Sequence, residues 1–110
     1  MNLAEYQSLA NRTAKELPHR EALAHAAMGL AGEAGEFSDA IKKHLIYGQP
    51  LDFANAREEL GDLLWFIAYS ANVLGFSLET VARMNIEKLA ERYPEQYTDY
   101  HATARLDKHE

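Results

Sequence analysis

Proline stands at only three positions, 18, 50 and 94, and each is a point where a helix must end or cannot yet begin. The ring removes an amide donor and crowds the preceding turn. The stretches between are rich in alanine, leucine and glutamate, residues that favour helix. No alternating strand pattern, internal repeat or low-complexity run is present. The sequence therefore predicts an all-α chain with four helices, at about Asn2 to Leu17, His19 to Tyr47, Phe53 to Leu74 and Leu78 to Arg92. Asp52 and Ser77 suit N-caps, and Gly75 suits the end of the third helix. Short loops between long helices imply antiparallel neighbours, hence a four-helix bundle. The 110 residues fit one domain. The polar tail from Glu95 to Glu110 is expected to be partly disordered, with Tyr97 and Tyr100 placed to dock back onto the body.

Composition narrows the chemistry. The chain has no cysteine, so disulfides and thiolate metal sites are excluded. The N-terminus lacks the unbroken apolar run of a signal peptide. The most apolar stretch, "LLWFIAYSANVLGF", is too short for a membrane span and carries Ser70 and Asn72. A cytoplasmic protein with no membrane partner is expected. The net charge is −6, and no basic stripe runs along the chain, which disfavours a nucleic-acid polymer as partner. A small phosphorylated ligand fits better, because a metal can bridge acidic side chains to phosphates.

Four acids stand out by position. Glu33 and Glu36 lie in "GLAGEAGEF" and Glu59 and Asp62 in "EELGDLLW", each pair one helical turn apart. On a helical wheel of the third helix, Leu60, Leu63, Leu64, Ile67, Ala71 and Leu74 form the apolar face. Glu59 and Asp62 fall at its boundary, whereas Glu58 points away. Antiparallel packing of the second and third helices brings all four carboxylates together. Such a cluster must take up protons or a cation. The oxygen-only donor set suits Mg²⁺, with Mn²⁺ as a substitute. Salt bridges to Lys42, Lys43, Lys88 or Arg92 would neutralise the same acids without a metal. Gly29, Gly32 and Gly35 weaken the second helix beside the acids, so either a ligand or a neighbouring helix approaches the backbone there. Glu36, beside this opening, is the candidate general base.

A complementary group follows in "MNIEKLAERYPE". Asn85, Lys88 and Arg92 share one helical stripe, and an amide with two cations suits a phosphate chain. Arg92 also suits a helix C-terminus on charge alone. Lys43 is a further candidate phosphate contact. His25 reads as a packing residue. Trp65 points away from the acids, toward another helix or subunit, and with Tyr69 it extends the apolar surface beyond one core. A homo-oligomer is therefore expected.

These three segments, in order, resemble the MazG-like branch of the all-α nucleoside triphosphate pyrophosphohydrolases. The family signature, Glu-x-x-Glu followed by Glu-x-x-Asp, reads here as Glu33, Glu36, Glu59 and Asp62. The run Asn-x-x-Lys-Leu-x-x-Arg-Tyr-Pro matches from Asn85 to Pro94, and the likeness covers about residues 20 to 95. It implies a helical homodimer or homotetramer that hydrolyses a nucleoside triphosphate to the monophosphate and pyrophosphate with Mg²⁺. The four carboxylates would hold the metal, Lys88 and Arg92 would contact phosphates, and Asn85 would help position the ligand. Gly32 stands where relatives often carry another acid, which removes one possible outer carboxylate. The rival readings are a non-enzymatic helical interaction module, or the same fold acting on a modified nucleotide or an alarmone.

Overall fold

The structure is a computed structural model that describes residues 1–108. Among these residues there are five helices and no strand: α1 (Leu3–Asn11), α2 (His19–Leu45), α3 (Phe53–Leu74), α4 (Leu78–Arg92) and α5 (Asp99–Ala104). The chain divides into two compact units, Met1–Phe76 and Ser77–Glu110. Glu110, one of a chance pair of acids with Asp107 three residues apart, lies outside the described residues.

In the first unit, α3 packs against both α2 and α1. The α2 side of the contact is built from small residues. Ala22 and Ala26 are buried with Tyr69, and Trp65, Phe66 and Val73 pack against them. At Gly29 a β-carbon would overlap the ring of Phe66. Trp65 stacks on Tyr69 with ring centroids 5.2 Å apart and meets Phe66 edge-on at 4.9 Å. His25 sits edge-on to both Phe66 and Tyr69, as a packing residue. Aromatic pairs of this kind contribute roughly 0.5–1.5 kcal/mol each beyond their burial. The pairing of Gly29 with Phe66 and His25 with Tyr69 runs down α2 as it runs up α3, so the two helices are antiparallel, as expected.

The packed side of α3 differs from the apolar face expected from the wheel. Leu60, Leu64, Ile67 and Leu74 are exposed, Leu60 and Leu74 by more than half. The small residues of α2 accept the bulky rings of Trp65, Phe66 and Tyr69, which project from the other side of α3. The leucine stripe is thereby left as an exposed apolar strip.

The first helix is also shorter than its periodicity suggests. It starts at Leu3 under an Asn2 cap and stops at Asn11. Beyond it, Ala14 and Leu17 pack against the aromatic cluster in non-helical backbone. The Trp65 indole donates a hydrogen bond to Thr13 Oγ1 at 2.9 Å. Tertiary packing overrides helix propensity over these residues. Gln7 and Asn72 tie α1 to α3, the Gln7 amide donating to Asn72 Oδ1 and Asn72 Nδ2 donating to the Gln7 carbonyl.

The ends of α3 and α4 follow their capping residues. Asp52 and Ser77 accept from the amides of Asn55 and Thr80, and Gly75 closes α3 with a φ of 78°, which an L residue adopts only at a cost. In the second unit the tail is more ordered than expected. Thr98 caps α5, while Tyr97 and Tyr100 stay largely exposed, Tyr97 meeting Tyr93 at the end of α4, with ring centroids 5.3 Å apart. The tail is fastened by Asp107, whose side chain is 1% exposed and pairs with Arg92. Among the described residues no single helix is long and apolar enough to cross a membrane.

Candidate metal centre

The antiparallel contact of α2 and α3 fixes where the acids point. Glu33 lies one turn beyond Gly29, and Asp62 one turn before Phe66, so the close approach at that glycine holds the two helices together beside the carboxylates. Glu33, Glu59 and Asp62 each offer an oxygen, all within 4.8 Å of one another. Glu33 and Glu59 are half-buried and Asp62 is exposed, so the cluster sits at the mouth of the helix–helix groove.

Electrostatics disfavour this cluster without a positive charge. Burial pushes the Glu59 carboxyl above the usual carboxylate range, assisted by a hydrogen bond with the Glu33 carboxyl and by the charges of Glu33, Asp62 and Glu36. Tyr6 on α1 is pushed up too, first by burial and then by the Asp62 charge. Tyr6 is therefore a neighbour of the cluster, and no motif in the sequence marks it.

The alternative of acids neutralised by their own lysines is not what α2 does. Lys42 and Lys43 both turn to Asp39, at 3.6 and 3.2 Å. Those cations hold the Asp39 carboxyl below its ordinary range, with the Lys43 hydrogen bond as the largest cause. Lys43 therefore has a carboxylate partner on its own helix. Glu36 is exposed and stands outside the three-oxygen group, although its charge acts on Glu59.

The donor set fits a hard divalent cation. Carboxylate oxygens bind Mg²⁺ or Ca²⁺ at about 2.0–2.6 Å, so donors within 4.8 Å of one another can share one ion. The raised Glu59 and its carboxylate neighbours mark a place where a bound cation would relieve like-charge repulsion. At Gly32 and Gly35 an added β-carbon would meet nothing within 4 Å. That face of α2 is open, whereas Gly29 answers to helix packing.

On α4, Asn85 and Lys88 are exposed and Arg92 is half-buried. The Arg92 Nε and Nη2 donate to the two Asp107 oxygens at 2.7 and 3.1 Å, a side-on pairing that leaves Nη1 outside it. This bridge brings the Asp107 carboxyl down to about 2, with the Arg92 hydrogen bond as the largest cause. Fifteen residues separate the partners, and no local sequence signal announces the pair.

Comparison with known proteins follows this geometry. The family model of the MazG nucleotide pyrophosphohydrolase domain matches residues 22–97, which include all four motif acids and the Asn85–Arg92 stripe. Gene 37 protein of Mycobacterium phage L5 is 40% identical over 76 residues, 66% of this chain and 67% of the relative. No solved structure matches.

Proposed function

We propose that this chain, which belongs to the family of MazG nucleotide pyrophosphohydrolase domains, hydrolyses a nucleoside triphosphate to the monophosphate and pyrophosphate with Mg²⁺. The observation that carries the reading is the convergence of Glu33, Glu59 and Asp62, with the nearby Lys42 and Lys43 turned instead to Asp39. These three side chains hold the ion. When bound, the ion neutralises phosphate charge and favours attack at phosphorus.

The remaining roles fall to side chains the motifs supply. Glu36, adjacent to the three-oxygen group and outside it, takes a proton from the attacking water as general base. Water adds to the α-phosphorus, the α–β anhydride bond breaks, and pyrophosphate leaves. Lys88, Arg92 and Lys43 bind phosphate oxygens, and Asn85 orients the ligand. The assignments of Lys88, Arg92 and Asn85 rest on the motif match, whereas Lys43 lies outside the motifs.

A homodimer or homotetramer in the cytoplasm completes the proposal. The exposed strip of Leu60, Leu64, Ile67 and Leu74 is the kind of surface that a second copy covers. The test is a panel of canonical and modified triphosphates and an alarmone, with Mg²⁺, scored for pyrophosphate against orthophosphate release. Pyrophosphate release that falls at least 100-fold in Glu59→Gln is expected. Glu36→Gln should lose a similar factor in kcat. Orthophosphate as the product, or turnover indifferent to Glu59→Gln, would refute the reading.

A further inference from the structure

The last segment of the second unit returns to a side chain that the proposed chemistry needs. The matched family model covers residues 22–97, and α5 and Asp107 lie beyond that span. From there Asp107 reaches back to Arg92 and accepts from its Nε and Nη2 at 2.7 and 3.1 Å. Arginine grips carboxylate and phosphate by the same kind of paired N–H donation. The Asp107 side chain is 1% exposed and that of Arg92 only 16%. An incoming phosphate therefore meets an arginine already engaged and largely covered.

Little besides this bridge fastens the segment. α5 has six residues, none of them buried, and Tyr100 and Leu106 are exposed. A helix so short does not persist in water without support from outside itself. The turn that directs Asp107 back passes through Arg105 at a φ of 53°, a left-handed conformation that a non-glycine residue adopts at a cost. Arg105 Nε also lies 3.8 Å from the Asp107 carboxylate, so that carboxylate keeps a cation on its own segment when it leaves Arg92. The segment is thus held by one polar latch and has few apolar contacts to lose on opening.

We propose that residues 98–108 form an autoinhibitory strap, in which the Asp107 carboxylate occupies Arg92 in place of a substrate phosphate and is displaced when a polyphosphate binds. The inference rests on the phosphate-binding role of Arg92 given above. A carboxylate brings one negative charge and a polyphosphate several, so the ligand can take the arginine from the strap. While the strap is closed, apparent affinity falls by the fraction of chains in which Arg92 is free.

The test is calorimetric titration of the full chain with inorganic pyrophosphate and Mg²⁺, beside triphosphate hydrolysis, in the parent, Asp107→Asn, Arg92→Gln and the double variant. Asp107→Asn should bind pyrophosphate about fivefold more tightly, the gain expected if Arg92 is free in about one parent chain in five. It should lower KM by a similar factor and leave kcat nearly unchanged. Arg92→Gln should weaken binding, and adding Asp107→Asn to it should change nothing further. The parent supplies a reading that needs no substitution: on addition of pyrophosphate, the amide chemical shifts of Asp99–Ala104 should move toward unfolded values. Pyrophosphate affinity unchanged or weaker in Asp107→Asn would overturn the strap, as would α5 shifts that stay helical in the parent at saturation. Either result leaves the proposed function standing if pyrophosphate release still depends on Glu59. Tighter binding in Asp107→Asn that requires Arg92, in a chain that hydrolyses no triphosphate, would keep the strap and refute the function. Equal binding by the parent and Arg92→Gln would remove Arg92 from the phosphate site and overturn the strap with it.

Discussion

Alanine at Gly29 and alanine at Gly32 should move stability in opposite directions. Both glycines are interior to α2, where replacing glycine with alanine gains about 1 kcal/mol of helix propensity. At Gly32 nothing lies within 4 Å of the new methyl, so that gain stands alone. At Gly29 the methyl overlaps the Phe66 ring, and Phe66 is hemmed in by Trp65, His25 and Tyr69. Overpacking costs about 1–3 kcal/mol, and a ring with three aromatic neighbours has little room to yield, so the upper end applies. The net loss is about 2 kcal/mol once the roughly 1 kcal/mol propensity gain is subtracted. For a unit this small, about 4–8 °C of Tm accompanies each kcal/mol. Gly32→Ala should therefore melt about 4–8 °C higher than the parent and Gly29→Ala about 8–16 °C lower. Thermal denaturation followed by far-UV circular dichroism in chelator reads both. Because the Gly29–Phe66 contact is one turn from the carboxylates, Gly29→Ala should also weaken Mg²⁺ binding. A Gly29→Ala protein that melts at or above the parent would refute the argument that this glycine sets the helix separation.

Three further outcomes are expected. Mg²⁺ or Mn²⁺ should raise the Tm of the parent at neutral pH and leave that of Glu59→Gln nearly unchanged, since only a folded-state ligand set stabilises. Without metal, stability should depend on pH through two groups of opposite sign. Glu59 is raised in the folded state, so its protonated form contributes stability that is lost as pH rises through its folded pKa. Asp107 is lowered to about 2, so its contribution is present above the ordinary carboxylate range and lost as pH falls toward 2. Chemical denaturation across about pH 3 to 7.5 should find these two contributions largest together in the ordinary carboxylate range, about pH 4, and Asp107→Asn should flatten the acid limb. Leu64→Asp with Ile67→Lys should give a monomeric mass by light scattering, where the parent gives a dimer or tetramer.

The ends of α3 and α4 were legible because local chemistry writes them. Asp52, Ser77 and Gly75 cap through contacts within three or four residues. The acid cluster was legible for a related reason, since spacing of three on two antiparallel helices brings carboxylates to one groove. What spacing could not say is which oxygens meet, and Glu36 stands outside the group that Glu33, Glu59 and Asp62 form. The non-helical course of residues 13–17 depends on Trp65, some fifty residues away, and the order of the tail on Asp107 reaching Arg92. Neither contact has a local signature. The side of α3 that packs was misread for a simpler reason. Hydropathy identifies apolar side chains, but Ala22, Ala26 and Gly29 of α2 select rings over leucines by shape.

The chain has one tryptophan, pinned to Thr13 and stacked on Tyr69. Its emission is consequently an optical gauge of the Met1–Phe76 unit alone, blind to α4 and α5. Ellipticity sums over all five helices. Melting curves from the two signals will superimpose only if both units come apart in one cooperative step, so a cuvette can decide whether the chain unfolds as one body or two.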